Sequence, residues 1–117
     1  MKTLLFVILF FSASVYADTA SKMNFDEILT RSAQGDAEAQ VRLGEACLNG
    51  NYNQTVNYAQ SFKWLTKSAA SGNPRAKLDL GILYLNGYGV PFDYAKALNL
   101  FEQADLAGEM KAPRYLG

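Results

Sequence analysis

The sequence predicts an all-α fold, an α-solenoid built from helix-turn-helix repeats. Three observations predict it. A stretch of sequence recurs at a nearly constant period, capping residues bracket two helices in each copy, and one helix of each copy is apolar on two sides. The chain has 117 residues, which is enough for one small domain.

The recurrence is marked by Leu-Gly pairs at 43–44, 80–81 and 116–117, a period of 37 and then 36 residues. Around the first two pairs, the segment from Gly35 to Gly44 aligns with the segment from Gly72 to Gly81. A steady period of this length is typical of stacked helical repeats. We therefore assign repeat one to 35–71, repeat two to 72–107 and a partial repeat to 108–117.

The capping residues predict where each helix begins and ends. A lone capping helix is predicted over 24–34, because Asn24 and Glu27 have the spacing of a capping box. In the repeats, four residues suit an N-cap, and each is paired with a later glycine that suits the end of the same helix. The pairs are Asp36 with Gly50, Asn57 with Gly72, Asn73 with Gly87 and Asp93 with Gly108. Together with Pro74 at a first helical position, they predict five helices and no strand.

The apolar pattern predicts how these helices pack. Ala39 and Leu43 share a stripe with Ala46 and Cys47, while Val41 lies nearly opposite with Leu48. A helix that is apolar on two sides is sandwiched between neighbours. A glycine inside a helix costs about 1 kcal/mol relative to alanine, so Gly44 and Gly81 predict close approach of a neighbouring helix. The apolar residues expected to fill the space between layers are Phe62, Trp64, Leu65, Leu98, Leu100 and Phe101.

Residues 1–17 have the layout of a signal peptide. Lys2 gives a positive start, residues 4–11 form an apolar run, and Val15 and Ala17 stand at positions −3 and −1 of a cut before Asp18. The run is much shorter than the roughly 20 residues of a spanning helix. We expect cleavage after Ala17 in a bacterial cell, a mature domain over 18–117, and a periplasmic or secreted location.

The composition excludes several classes of function. The chain has no histidine and one cysteine, which excludes His-based nucleophile pairs, His-ligated metal sites and an internal disulfide. Without Lys2, ten Lys and Arg residues face eleven Asp and Glu residues, a net charge of −1. This charge argues against nucleic-acid binding and against a polybasic membrane patch. We expect no cofactor and no enzymatic activity; the remaining enzyme alternative is a small hydrolase that uses carboxylates alone.

Repeat two resembles the Sel-one-like repeat, a relative of the tetratricopeptide repeat. The matching residues are Ala76, Leu80-Gly81, Tyr84, Gly87-Tyr88-Gly89-Val90, Asp93-Tyr94-Ala95, Ala104 and Gly108. Repeat one matches in Ala39, Leu43-Gly44, Gly50, Trp64, Ala69-Ala70 and Gly72. It departs at linker 51–56, at Cys47, where tyrosine is usual, and at Asn57, where aspartate is usual. The resemblance covers residues 25–117 and implies a short, right-handed, tetratricopeptide-like superhelix.

The resemblance also implies a function in binding other proteins. Proteins of this family are usually adaptors or scaffolds, and exported bacterial members are associated with host contact, envelope assembly and immunity against toxins. We therefore expect an exported, non-enzymatic interaction module with a protein partner and no membrane insertion after signal cleavage. The alternative is a periplasmic immunity protein that neutralises a secreted antibacterial toxin. Because solenoids need about three repeats for stability, we also expect the isolated monomer to be marginally stable and to gain stability from a partner or from self-association.

Polar residues lie between the two apolar stripes of each first helix. In superhelical repeat proteins the first helices line the concave side, so we expect these residues to form one binding surface; the alternative is a solvated face with local ion pairs. Of the linker aromatics, Tyr52 is the binding candidate, whereas Tyr88 and Phe92 are expected to fold back over the apolar layer. Cys47 is expected to be a small buried residue, with an intermolecular disulfide as the alternative. The predicted partner-binding residues are Glu38, Arg42, Glu45, Asn49, Tyr52, Arg75, Asp79 and Asn86.

Overall fold

The computed structural model describes residues 23–108, in which the five expected helices are present and no strand occurs. The helices are α1 (Phe25–Ala33), α2 (Ala37–Asn49), α3 (Tyr58–Ala70), α4 (Pro74–Asn86) and α5 (Tyr94–Leu106). A short 3₁₀ turn, Asn51–Asn53, follows α2 and was not predicted. The signal peptide predicted over 1–17 and residues 109–117 of the partial repeat lie outside the described residues. In the described part, no helix has the length and apolarity that crossing a membrane requires.

Every predicted N-cap is confirmed, because each of these side chains accepts a hydrogen bond from a backbone amide two or three residues later. The bonds run to Asn24 from Glu27 (2.8 Å), to Asp36 from Glu38 (2.9 Å), to Asn57 from Gln60 (3.1 Å), to Asn73 from Ala76 (3.0 Å) and to Asp93 from Lys96 (3.0 Å). The ends of α2 and α4 are also as predicted, since Gly50 and Gly87 have left-handed φ values of 75° and 67°.

The linkers of the two repeats return the chain in the same way. After α2, the Asn57 amide donates to the Cys47 carbonyl oxygen at 2.8 Å. After α4, the Asp93 amide donates to the Tyr84 carbonyl oxygen at 3.0 Å. Cys47 and Tyr84 are 37 residues apart, so one repeat period relates the two bonds. The second helix of each repeat therefore starts from an equivalent point beside the first.

The close helix approach predicted at the helical glycines is confirmed. A Cβ atom on Gly44 would lie 2.6 Å from Cγ of Leu65, and one on Gly81 would lie 2.7 Å from Cδ1 of Phe101. Both distances are too short for real atoms, so only glycine lets α3 rest on α2 and α5 rest on α4 in this way. The Ser61 hydroxyl strengthens the first crossing by donating to the Gly44 carbonyl oxygen at 2.7 Å.

The first helices, α2 and α4, are sandwiched as their two apolar stripes predict. On α2, Ala39 and Val41 are both fully buried although they lie on different sides of the helix. α2 packs against α1, α3 and α4, and α4 packs against α3 and α5. One buried cluster joins α2, α3 and α4 through Val41, Leu65, Ala76, Leu80 and Leu83. The two repeats thus share one core cluster, as expected for a solenoid.

Candidate functional site

A groove with a volume of about 490 Å³ lies where the two first helices meet. We call it the first-helix groove. Aliphatic side chains from α2 and α4 line it together with charged, amide and tyrosine side chains. The lining residues are Glu45, Leu48, Asn49, Asn51, Tyr58, Arg75, Asp79, Ile82 and Tyr88. Both repeats contribute to it, so the groove exists only when they are stacked.

An ion pair joins the two repeats at this groove. Nε of Arg75 on α4 lies 2.6 Å from Oε2 of Glu45 on α2. The Arg75 side chain is 48% exposed and that of Glu45 only 15%, so the carboxylate lies beneath the guanidinium group. The hydrogen bond to Glu45 raises the pKa of Arg75, and the charges of Glu45, Asp79 and Glu38 raise it further against the opposing effect of burial. The charged form of Arg75 is therefore favoured.

A pair of tyrosines forms another contact between the repeats. The rings of Tyr58 and Tyr88 stack with centroids 4.4 Å apart and an interplanar angle of 6°. The adjacent Gly89 lies so close to the start of α3 that a Cβ atom there would stand 2.9 Å from the Tyr58 carbonyl carbon. Linker 87–92 of repeat two is thus pressed against the first residue of α3. This contact places a flat aromatic surface at the groove.

The structure brings together four of the eight predicted partner-binding residues. Glu45, Asn49, Arg75 and Asp79 all line the first-helix groove. Asp79 is buried, with only 7% of its surface exposed, so the alternative interpretation of a solvated face does not hold for this residue. The part these four residues play in binding stays a prediction.

Three further predicted residues lie on the same first helices, outside the groove lining. On α2, Arg42 forms an ion pair with Glu38 across one helical turn, at 3.3 Å between Nε and Oε2. At the end of α4, the side-chain amide of Asn86 donates to the Ile82 carbonyl oxygen at 2.9 Å. All three retain accessible surface. Local ion pairing, the alternative interpretation of this face, is thus present beside the groove.

The linker aromatics do not follow the predicted division. Tyr52 packs against α1, with its ring 5.7 Å from that of Phe25 and its hydroxyl donating to the Met23 carbonyl oxygen at 3.4 Å, yet it remains 43% exposed. Tyr88 folds back onto Tyr58 but remains 36% exposed, so the expectation that it covers the apolar layer is met only in part. The same expectation for Phe92 is wrong, because this side chain is 65% exposed.

The Tyr58–Tyr88 stack was missed by the sequence analysis, although the sequence carries a signal for it. An aromatic residue is the first residue of α1, α3 and α5, namely Phe25, Tyr58 and Tyr94. The first two each contact a tyrosine from the linker of the following repeat. The recurrence of an aromatic residue at this helix position could have indicated a contact between successive repeats.

A larger groove, of about 600 Å³, lies between α3 and α5 and was not predicted. We call it the second-helix groove. Phe62 meets Tyr84 edge-on in it at 6.0 Å between centroids, and Nζ of Lys96 lies 5.2 Å from the Tyr84 ring centre. The full lining is Phe62, Thr66, Leu80, Tyr84, Asp93, Ala95, Lys96, Asn99, Leu100 and Gln103. The sequence assigned Phe62 and Leu100 to filling between layers, whereas both line this groove.

Between residues 23 and 108, no group of three or more acidic or cysteine side chains is placed to hold a metal ion. Cys47 is a free thiol, and partial burial raises its pKa. It is half-buried rather than enclosed, so the expectation of a small buried residue is met only in part.

These features define an α-solenoid of helix-turn-helix repeats. The Sel1 repeat model matches residues 37–73 and 74–104, more than half of the chain, and the chain belongs to the Sel1 repeat family. Proteins of this family are generally non-enzymatic and typically mediate protein–protein interactions.

Two solved structures support this membership. A protective antigen of uropathogenic Escherichia coli with an SLR fold is 34% identical over 74% of this chain, with a TM-score of 0.68. A Sel1 repeat protein from Oxalobacter formigenes is 33% identical over 79% of this chain, with a TM-score of 0.71. This chain spans only 18% and 26% of the lengths of those proteins. Among curated proteins, none matches the chain.

Proposed function

We propose that this protein is an exported, non-enzymatic interaction module that binds a protein partner on the face formed by its first helices. The observation that carries the proposal is the first-helix groove, in which four of the residues expected to bind a partner lie together. The groove combines aliphatic side chains with charged and amide side chains, which is the usual composition of a recognition surface. Membership of a family of interaction modules supports the same function.

Two exposed asparagines make a direct test of the binding face. Asn49 lines the first-helix groove and Asn99 lines the second-helix groove. Replacing either by tryptophan would obstruct its own groove, whatever the charge of the partner. Each variant and the wild-type protein are used as bait in an extract of the producing cells, after circular dichroism has verified the helix content.

A partner that is retained by wild type and Asn99→Trp and lost by Asn49→Trp supports the proposal. A partner that is lost only by Asn99→Trp would instead assign binding to the second-helix groove and contradict it. Failure of the wild-type bait to retain any protein would contradict an interaction function altogether.

Export is tested separately, through the signal peptide proposed for residues 1–17. The full chain is produced in a Gram-negative bacterium, and the intact mass is measured in the periplasmic and cytoplasmic fractions. We expect a periplasmic protein that begins at Asp18. The matched control, Ala17→Lys, places a charge at the −1 position and should leave the precursor uncut. A wild-type protein that keeps Met1 and stays in the cytoplasm would refute export.

A further inference from the structure

We propose that the two linkers between first and second helices bind a proline-rich segment of the partner protein in the polyproline II conformation. The linkers are residues 50–57 and 87–92, and we call their joint surface the linker edge. The inference rests on the proposed function, because the linker edge adjoins the first-helix groove and Asn51 and Tyr88 belong to both. Three features support it: exposed apolar side chains, the absence of charge, and a spacing of one repeat.

The linker edge carries most of the large apolar side chains that are exposed between residues 23 and 108. There are seven such side chains in this range, and four of them lie in the two linkers: Tyr52, Val56, Tyr88 and Phe92. They occupy equivalent positions, because Tyr52 and Tyr88 are 36 residues apart, and so are Val56 and Phe92. Exposed apolar side chains that are grouped in this way mark a binding surface, whereas single scattered ones do not.

The two linkers meet, so the linker edge is one surface. Tyr58 directly follows the first linker, and a Cβ atom on Gly89 of the second linker would lie 2.9 Å from the Tyr58 carbonyl carbon. The Tyr58 ring also stacks on that of Tyr88. A single partner segment can therefore contact both linkers at once.

Equivalent side chains of the two linkers are separated by about the width of one helix. Val56 lies beside Gly50 at the end of α2, and Phe92 lies in the same way beside Gly87 at the end of α4. Because α2 and α4 pack against each other, their axes are about 8–10 Å apart. Polyproline II has about three residues per turn and a rise of about 3.1 Å, so residues i and i+3 share a face and lie about 9 Å apart. Residues that share a face of a β-strand lie only about 7 Å apart, so an extended strand does not keep this register.

The linker edge contains no charged residue. Residues 50–57 and 87–92 include no Asp, Glu, Lys or Arg, whereas α2 and α4 each carry three such residues. A charged partner segment gains no attraction from this surface and loses hydration when it is buried there. The segment that fits is therefore itself uncharged, a condition that a run of prolines satisfies.

Aromatic rings and exposed amides meet the two requirements of a polyproline II segment. Its pyrrolidine rings pack on aromatic side chains, and its backbone carbonyls need external donors because this helix has no internal hydrogen bonds. Tyr52, Tyr88 and Phe92 supply the rings. The exposed side-chain amides of Asn51 and Asn53 supply the donors. A sugar chain fits less well, because its hydroxyl groups would lose hydrogen bonds to water against Phe92, which offers no polar group.

Two uncharged peptides and one sugar test the inference without knowledge of the partner. The purified, ¹⁵N-labelled protein is titrated with blocked nonaproline, with a blocked peptide of equal length that repeats Ala-Gly-Ser, and with chitotriose, and amide chemical shifts are followed. We expect saturable shifts at Val56, Tyr88 and Phe92 with nonaproline. The flexible peptide should bind at least about tenfold more weakly, because it loses more conformational freedom on binding.

Substitutions at the repeated apolar position show whether the segment spans both repeats. Val56→Ser and Phe92→Ser each remove one exposed apolar side chain, and each should weaken nonaproline binding about fivefold. The matched controls are Leu29→Ser on α1 and Leu106→Ser on α5, which remove exposed apolar side chains outside the linkers and should leave binding unchanged. Circular dichroism verifies that all four variants keep the helix content of the wild type.

Equal affinity for the two peptides would overturn the inference, and so would chitotriose that binds at the same amides more tightly than nonaproline. Weakening by only one of Val56→Ser and Phe92→Ser would also overturn it, because the segment would then contact a single repeat. These results would leave the proposed function intact if the Asn49→Trp variant still lost the partner. Conversely, selective binding of nonaproline with both substitution effects would support the chemistry of the linker edge even if no partner were captured, so the two proposals can fail separately.

Discussion

Replacing Gly44 with alanine should destabilise the protein, although alanine is the better helix former. In isolation the change improves helix propensity by about 1 kcal/mol. In the folded protein, the new methyl group would lie 2.6 Å from Cγ and 2.7 Å from Cδ2 of Leu65. Overpacking of this kind costs about 1–3 kcal/mol. The balance is a net loss of about 1 kcal/mol of unfolding free energy.

The sign of this effect should reverse when the obstructing side chain is removed. Leu65 is fully buried, so Leu65→Ala alone should cost about 2–5 kcal/mol and leave a cavity beside Gly44. In that background, the methyl group of Gly44→Ala enters the cavity and the helix-propensity gain remains. The second substitution should therefore restore about 1 kcal/mol of stability.

The assay is urea unfolding followed by circular dichroism on wild type, both single variants and the double variant. The control is Gly35→Ala, where φ is 94° and no neighbouring atom lies within 4 Å of the new Cβ atom. Backbone strain from this substitution should lower the unfolding free energy by about 1–2 kcal/mol. The loss should be the same in the wild-type and the Leu65→Ala backgrounds. If Gly44→Ala is equally destabilising with and without the Leu65 side chain, close approach of α3 is not the reason for this glycine.

Three further outcomes are expected. Ser61→Ala removes the buried hydroxyl that donates to the Gly44 carbonyl oxygen and should cost about 1 kcal/mol, measured by urea unfolding; an unchanged midpoint would contradict a role for this bond. Asp93→Ala removes the N-cap of α5, which accepts from the Lys96 amide, and should also cost about 1 kcal/mol, whereas Asp93→Asn should retain most of the stability. Burial raises the pKa of the Cys47 thiol, so at pH 8 iodoacetamide should react more slowly with the folded protein than with the protein in urea. The folded thiol keeps its proton to higher pH, so its contribution to stability is fully present below the pKa of the unfolded thiol. This contribution is lost as pH rises through the raised pKa of the folded thiol. Equal alkylation rates in the folded and unfolded protein would refute the burial argument.

The local structure of this protein could be predicted from its sequence. Helix ends depend on contacts between residues two to four positions apart, so Asp36, Asn73 and Gly87 could be assigned their capping roles without knowledge of the fold. The repeat period and the two apolar stripes of α2 indicated stacked helix pairs for a similar reason. Once the first and last residues of a helix are known, the spacing of its residues along the sequence dictates which side chains share a face.

The 3₁₀ turn escaped prediction because its conformation opposes local preference. Tyr52 and Asn53 both have left-handed φ values, 57° and 60°, which non-glycine residues seldom adopt. The packing of Tyr52 against Phe25 and Met23 holds this conformation. Those contacts span 27 and 29 residues of sequence, so no pattern within the linker could reveal them.

The sequence by itself determined the helices, the repeat architecture and which polar residues share a face of the first helices. Only the tertiary structure decided that Glu45 pairs with Arg75, that Tyr58 stacks on Tyr88 and that Asp79 is buried. Each of these depends on the distance and angle at which one repeat rests on the next. That geometry results from the packing of α2, α3 and α4 around the shared cluster of Val41, Leu65, Ala76, Leu80 and Leu83, and a small change in it would move every contact between the repeats.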